Sequence, residues 1–126
     1  MKLQSALKLI QAKPMYIYDP AILWRDYAYA AATDLMSDAL AMICTNCNRT
    51  ILLTGLANAQ SLRTAEMLDI TTIIYVRNKR LSDDNLELAI EMEMNVFTTP
   101  LPMFEAIGIL YREGFKTATR HDDSSL

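Results

Sequence analysis

The sequence predicts a single α/β domain with three layers, in which helices cover both faces of a mostly parallel sheet of about four to five strands. The main observation is a pattern that occurs three times in the second half of the chain: a short apolar run, a polar turn, and a segment with helical periodicity. The apolar runs are Ile51–Gly55, Thr72–Arg77 and Asn95–Thr99. Parallel strands that are buried on both faces read as continuous apolar stretches, and right-handed crossover helices connect them. A length of 126 residues suits one domain.

The segments before the repeated pattern are shorter and less regular. A short N-terminal helix is predicted to end before Pro14, and a strand is predicted over Met15–Tyr18. The stretch Tyr27–Ala32 is ambiguous, because alanine favours a helix whereas the Tyr/Ala alternation favours a strand. A buried helix face follows it, and Thr33 or Asp34 is the expected N-cap.

Each apolar run is followed by a predicted helix. The first is expected over Asn58–Leu68, and the second begins after Ser82, whose hydroxyl is a preferred N-cap group. The third begins near Pro102 and ends near Gly114, which is the usual placement of proline at a helix start and glycine past its end.

Composition and charge narrow the class of protein. Apolar residues make up 52% of the chain, charged residues make up 21%, and the net charge is −3, so we expect a globular protein that does not bind nucleic acid. No apolar run approaches the roughly 20 residues of a membrane span and no signal-peptide pattern is present, so a cytoplasmic location without membrane association is expected. Residues 1–115 are predicted to form the domain, and residues 116–126, which lack periodicity, a flexible tail.

Polar residues follow each of the three predicted strands. In parallel sheets, ligands bind at the carboxyl ends of the strands, where helix N-termini also attract anions. The candidate ligand-binding residues are Thr54, Gly55, Asn58, Arg77, Asn78, Lys79, Thr98 and Thr99. Hydroxyl, amide and cationic groups there would suit a nucleotide or another anionic small ligand, but the same residue types are also usual in strand–helix turns and caps.

Two other groups of residues could bind a metal ion or take part in chemistry. Asp34, Ser37 and Asp38 lie within about one helical turn and could hold a divalent cation, although helix capping explains Asp34 and Ser37 more simply. Cys44 and Cys47 form a C-x-x-C pair of the kind used in thiol exchange or metal binding, which leaves a thiolate metal or redox protein as a further hypothesis.

The cysteines are more simply interpreted as two ordinary reduced thiols. One pair supplies half of a tetrahedral zinc site, and the sole histidine, His121, lies in the predicted tail. We therefore expect two reduced cysteines, no metal and no cofactor.

Motifs of catalysis are absent from the sequence. It has no Gly-x-x-x-x-Gly-Lys-Ser/Thr loop, no Gly-x-Ser-x-Gly elbow and no dinucleotide-binding glycine fingerprint. The chain is therefore predicted not to be an enzyme. Trp24, Tyr27 and Tyr29 cluster in sequence, either as ordinary core or as part of a homodimer surface.

The chain resembles the DRTGG-domain family over about two-thirds of its length, from Thr33 to Phe115. The resemblance is carried by several short sequence motifs that occur in the same order. These motifs are Asp34-Leu-Met-Ser-Asp38, Leu53-Thr-Gly-Leu56, Arg63-Thr-Ala-Glu-Met67, Ile74-Tyr-Val-Arg77 followed by Lys79, and Thr98-Thr-Pro100 followed by Met103-Phe-Glu-Ala106. Where the family has Asp-Arg-Thr-Gly-Gly, this chain has Asp26-Tyr-Ala-Tyr-Ala30, in which the aspartate alone matches.

The resemblance implies a bacterial regulatory module. Members occur as the N-terminal domain of HPr kinase/phosphorylase, beside CBS domains in regulated pyrophosphatases, and as small stand-alone proteins, some associated with iron-only hydrogenases. It implies a non-catalytic, ligand-binding and commonly homodimeric domain. The alternative is a protein-interaction or scaffolding module without a small ligand, for which an iron-only hydrogenase system is one setting.

Overall fold

The structure is a computed structural model that describes residues 1–41 and 47–118. The strands are β1 (Lys13–Tyr16), β2 (Tyr29–Ala32), β3 (Thr50–Thr54), β4 (Thr72–Tyr75), β5 (Asn95–Thr98) and β6 (Lys116–Thr117). The helices are α1 (Leu3–Leu9), α2 (Met36–Ala41), α3 (Ala59–Met67), α4 (Asp83–Glu91) and α5 (Met103–Arg112), with 3-10 helices at Pro20–Trp24 and Cys47–Arg49.

These strands form one sheet in the order β1-β5-β4-β3-β2-β6. Strands β2 to β6 are parallel to one another, and β1 pairs antiparallel with β5. The predicted α/β class with a mostly parallel sheet is therefore confirmed. The predicted number of strands was too low, because a sixth strand lies within the segment expected to be a tail.

Strand β6 corrects the predicted start of that tail. The backbone N–H of Lys116 donates to the carbonyl oxygen of Ala28 at 2.9 Å, and the N–H of Ala118 donates to that of Ala30 at 3.0 Å. Backbone bonds of this kind need no apolar pattern, so this strand is not recognisable from its side chains. Residues 119–126 lie outside the described part of the chain.

Helices cover both faces of the sheet. The chain moves stepwise from β2 to β5 through α2, α3 and α4, and α5 then crosses back to place β6 beside β2. One apolar core lies between the sheet and α1 with α5, and the other lies between the sheet and α3 with α4. The molecule is therefore a three-layer α/β/α domain in which α5 lies in the layer opposite to α3 and α4.

Strand β3 shows why the apolar runs are continuous. Ile51 and Leu53 contribute to the core under α1 and α5, whereas Leu52 contributes to the core under α3 and α4. All three side chains are fully buried. Burial of each is worth roughly 1.5–3 kcal/mol, so apolar residues are favoured at every position of a strand that is covered on both faces.

Most predicted element boundaries agree with the structure. Asn58 is the N-cap of α3, since its Oδ1 accepts a hydrogen bond from the Ser61 N–H at 3.0 Å, and Ser82 is the N-cap of α4. The ambiguous stretch forms β2 from Tyr29 onward, and the strand expected at Met15–Tyr18 lies two residues earlier.

The three aromatic residues that cluster in sequence, Trp24, Tyr27 and Tyr29, do not form one exposed surface. Tyr27 is buried, and its hydroxyl forms a hydrogen bond with the Thr72 hydroxyl at 2.9 Å, whereas the Trp24 side chain is exposed. Tyr27 is thus a core residue.

Among the described residues, no helix combines the length and apolar character needed to cross a membrane.

Candidate ligand site at the carboxyl edge of the sheet

The three predicted polar turns lie side by side. Strands β3, β4 and β5 are adjacent and parallel, with Thr54 paired to Tyr75 and Tyr75 paired to Thr98 at their carboxyl ends. The chain leaves β4 toward α4 in one layer and leaves β5 toward α5 in the opposite layer. Connections that diverge in this way open a crevice between two strand ends, which is the usual ligand position in such sheets.

Asp34 joins this edge from the end of β2. Its Oδ1 accepts a hydrogen bond from the backbone N–H of Gly55 at 2.6 Å and another from the Thr54 hydroxyl at 3.3 Å. The carboxylate therefore connects the turn after β2 to the turn after β3. This is a different role from the expected capping of α2. The Thr33 hydroxyl accepts from the Leu35 N–H at 3.0 Å, and Leu35 precedes the first residue of α2, Met36, so this bond does not cap the helix either.

Gly55 separates two opposite charges. A Cβ atom at this position would lie 2.8 Å from Nη2 of Arg77 and 3.2 Å from Oδ1 of Asp34. A Cβ contact below 3 Å requires the guanidinium to move, so the glycine lets both charged groups approach its Cα. We refer to these three residues as the Asp34–Gly55–Arg77 cluster. The side chains of Asp34 and Arg77 are both exposed, so the cluster is open to solvent.

The backbone around Arg77 is held in an uncommon conformation. Arg77 and Asn78 have φ angles of +57° and +58°, in the left-handed region that non-glycine residues rarely adopt. Their N–H groups donate to carbonyl oxygens of the turn after β5, from Arg77 to Leu101 at 3.0 Å and from Asn78 to Thr99 at 2.8 Å. These two bonds fix the direction in which the Arg77 side chain leaves the sheet.

Thr98 and Thr99 use their hydroxyl groups within the protein. The Thr98 hydroxyl donates to the backbone carbonyl of Lys79 at 2.8 Å, and the Thr99 hydroxyl donates to the carbonyl of Ile10 and accepts from the Leu101 N–H at 3.2 Å. Both residues are buried. They connect the turns rather than present free donors to a ligand, and Asn58 likewise uses its side-chain oxygen as the cap of α3.

The crevice beyond β5 has polar walls. A cavity of about 310 Å³ is lined by Gln11, Lys13, Asn78, Thr98 and Pro100. Gln11 and Lys13 are residues that sequence analysis missed. They reach this edge because β1 runs antiparallel to β5 and pairs Lys13 with Thr98. The Lys79 side chain is exposed at the same turn.

The remaining candidates do not gather into a site. Ser37 and Asp38 are exposed on α2, while the Asp34 carboxylate is directed to Gly55. Over residues 1–41 and 47–118, no three or more His, Cys, Asp or Glu side chains converge in a way that could hold a metal ion.

Cys47 differs from the expectation of a reduced thiol, since it is disulfide-bonded. Cys44 and His121 lie outside the described residues. The prediction of two reduced cysteines was therefore wrong at Cys47.

Comparison with known proteins identifies the fold. No protein-family model and no curated protein sequence matches the chain. Among solved structures, it is similar to the crystal structure of the CBS and DRTGG domains of the regulatory region of Clostridium perfringens pyrophosphatase, complexed with its activator diadenosine tetraphosphate. The TM-score is 0.67 at 17% sequence identity, over 97% of this chain and 51% of the other. The chain thus spans about half the length of that neighbour, which belongs to a regulatory region.

Proposed function

We propose that the protein is a non-catalytic regulatory module that binds a nucleotide or a similar anionic ligand at the carboxyl edge of its sheet, and that it acts in the cytoplasm as a homodimer. The single observation that supports this proposal best is the Asp34–Gly55–Arg77 cluster, in which an exposed carboxylate and an exposed guanidinium flank a residue without a side chain. A ligand at this strand end would contact both charged groups, because both side chains are open to solvent.

The two charges suit a ligand with two kinds of group. The Arg77 guanidinium has the planar donor geometry that matches phosphate. Lys13 in β1 and Lys79 in the turn after β4 add positive charge. The Asp34 carboxylate would repel a bare phosphate but accepts hydrogen bonds from hydroxyl or amino groups. A nucleotide offers the phosphate together with the hydroxyl and amino donors, whereas inorganic phosphate offers the first alone.

The structural neighbour supports a nucleotide in particular. Its regulatory region was crystallised with diadenosine tetraphosphate, which that protein binds as an activator. This chain shares the fold at 17% identity and covers about half of that region, so the ligand class is carried over here as part of the proposal.

Thermal unfolding with a panel of ligands tests the proposal. Diadenosine tetraphosphate, ATP, AMP and inorganic phosphate are added to the wild-type chain, and a ligand at 100 times its Kd raises the unfolding free energy by about 2.7 kcal/mol. We expect stabilisation by at least one nucleotide and weaker stabilisation by phosphate. Titration calorimetry then gives the Kd.

Two variants localise the binding. Arg77→Ala should weaken nucleotide binding by about tenfold or more, because a charge-assisted bond is worth about 1.5–3 kcal/mol. Arg49→Ala is the matched control, since it removes the same charge just before β3 and therefore at the opposite edge of the sheet. No stabilisation by any nucleotide would contradict the proposal and favour an interaction module without a small ligand. Equal losses in both variants would contradict the assigned site.

A further inference from the structure

Helix α5 presents two large aromatic side chains to solvent. Phe104 and Tyr111 are 89% and 76% exposed, more than any other large apolar side chain in the described ranges. Ala106 and Leu110, on the side of the helix that faces the sheet, are buried. Because successive residues are rotated by about 100°, Gly108 lies at the centre of the exposed face, directly opposite the buried side.

The exposed face is divided into an aromatic half and a charged half. Phe104 and Tyr111 are seven residues apart and lie on one side of Gly108. Glu105 and Arg112 are also seven residues apart and lie on the other side. Each pair is separated by about two helical turns, so Gly108 lies midway between the members of both pairs.

Gly108 is not needed by the fold of one chain. A Cβ atom there would meet nothing within 4 Å, and the residue does not have a positive φ. Glycine weakens the middle of a helix relative to alanine, so its presence at the centre of an exposed face has no advantage within the monomer. A flat central position does have an advantage if a second helix crosses at this point.

We infer that this face of α5 binds the same face of a second copy of the chain across a two-fold axis. When two such helices pack antiparallel about an axis beside Gly108, Phe104 of each copy lies opposite Tyr111 of the other. Glu105 of each copy likewise lies opposite Arg112 of the other, which gives two ion pairs. The face is therefore complementary to itself in charge and in the placement of its aromatic side chains, as an isologous interface requires.

A parallel arrangement of the two α5 helices does not pair these side chains. With parallel helices, the two-fold axis runs along the helices, and the aromatic half of one copy faces the charged half of the other. Burial of Glu105 and Arg112 against aromatic side chains, without a partner of opposite charge, is unfavourable. The arrangement of the four side chains around Gly108 thus selects a second copy in the antiparallel orientation.

The inference rests on the homodimer within the proposed function and adds its surface and geometry. Sedimentation equilibrium of the full chain over a range of concentrations measures the dimer dissociation constant. Glu105→Arg and Arg112→Glu should each weaken the dimer by about tenfold, because each places like charges opposite one another. The double variant should recover most of the wild-type affinity, because the pair is restored with its charges exchanged.

The double variant also serves as a control for changes in the stability of α5. Glu105 in the first turn and Arg112 in the last turn both complement the helix dipole, so the double variant loses both favourable contributions. Its recovery would therefore report on pairing between copies. A further variant, Gly108→Ala, should raise helix propensity, and so keep the fold, while it weakens the dimer by separating the two backbones.

The outcomes separate this inference from the rest of the proposed function. A wild-type dimer whose dissociation constant is unchanged in all of these variants would overturn the interface but not the homodimer. A double variant weaker than both single variants would also overturn it. A wild-type chain that is monomeric at every concentration would overturn the interface and the homodimer, whereas nucleotide binding is measured separately by calorimetry.

Discussion

Replacement of Asp34 by alanine should destabilise the domain even though its side chain is exposed. The change removes the acceptor for the Gly55 N–H, a bond of 2.6 Å to an ionised group, and for the Thr54 hydroxyl, at 3.3 Å. A hydrogen bond to a charged group contributes about 1.5–3 kcal/mol, and the longer second bond adds little. Since water can reach the exposed carboxylate position and replace part of the first bond, we expect a loss of about 1–2 kcal/mol.

Urea denaturation followed by circular dichroism measures this loss. The midpoint should fall while the m-value stays constant, because the change affects one connection rather than the size of the cooperative unit. Asp34→Asn is the matched control, since its Oδ1 can still accept from the Gly55 N–H but has no charge. Its loss should be smaller than that of Asp34→Ala.

Two results would refute this reasoning. An Asp34→Ala protein within about 0.3 kcal/mol of the wild type would mean that the carboxylate does not connect the turns after β2 and β3. Equal losses for alanine and asparagine would mean that charge, rather than the hydrogen bond, is responsible.

Three further predictions concern other parts of the fold. Burial raises the pKa of Tyr75 from 10.0 to about 12, so the unfolded chain releases this proton first, and the unfolding free energy should fall between pH 10 and 12; Tyr75→Phe should flatten that part of a pH-dependent denaturation profile, and an unchanged profile would contradict the assignment. Ser82→Ala should cost about 1 kcal/mol in urea denaturation by removing the N-cap of α4, whereas Ser82→Asp should retain most of the stability. Gly114 has a φ of +99°, so Gly114→Ala should lower the unfolding free energy by about 1 kcal/mol, and a gain in stability would show that the turn tolerates a Cβ.

The centre of the sheet could be predicted from sequence because its strands are buried on both faces. At Ile51, Leu52 and Leu53 every side chain enters one of the two cores, and this produces the apolar run. The edge strands have no such requirement. Lys116 and Thr117 are both exposed and take part through backbone hydrogen bonds, which leave no pattern in the side chains.

The ambiguity of Tyr27–Ala32 has a related cause. Alanine fits either a helix or a strand, and strand geometry was decided by pairing with β3, which is a contact between segments distant in sequence. Local propensity could not resolve it.

Some residues of the candidate site could be predicted from the sequence because their position depends only on strand direction. Others could not, because their position depends on which strands lie side by side. Arg77 and Gly55 each end an apolar run, so parallel strands place them at one edge. Asp34 follows an alanine-rich strand that could not be assigned, and Lys13 reaches the edge through an antiparallel pairing that no local pattern indicates. Thr98 and Thr99 were correctly located at the edge, but their hydroxyls serve the turns.

The composition of the two outer strands limits how copies of this sheet can associate. An unprotected edge offers rows of backbone donors and acceptors that recruit further strands and lead to aggregation. At one edge, β1 contains Pro14, which has no N–H to donate, beside Lys13 and an irregular register. At the other edge, β6 is two residues long and begins with Lys116. Continuation of the sheet from one molecule into the next is disfavoured at both sides, so ordered association without fibril formation is left to the helical surfaces.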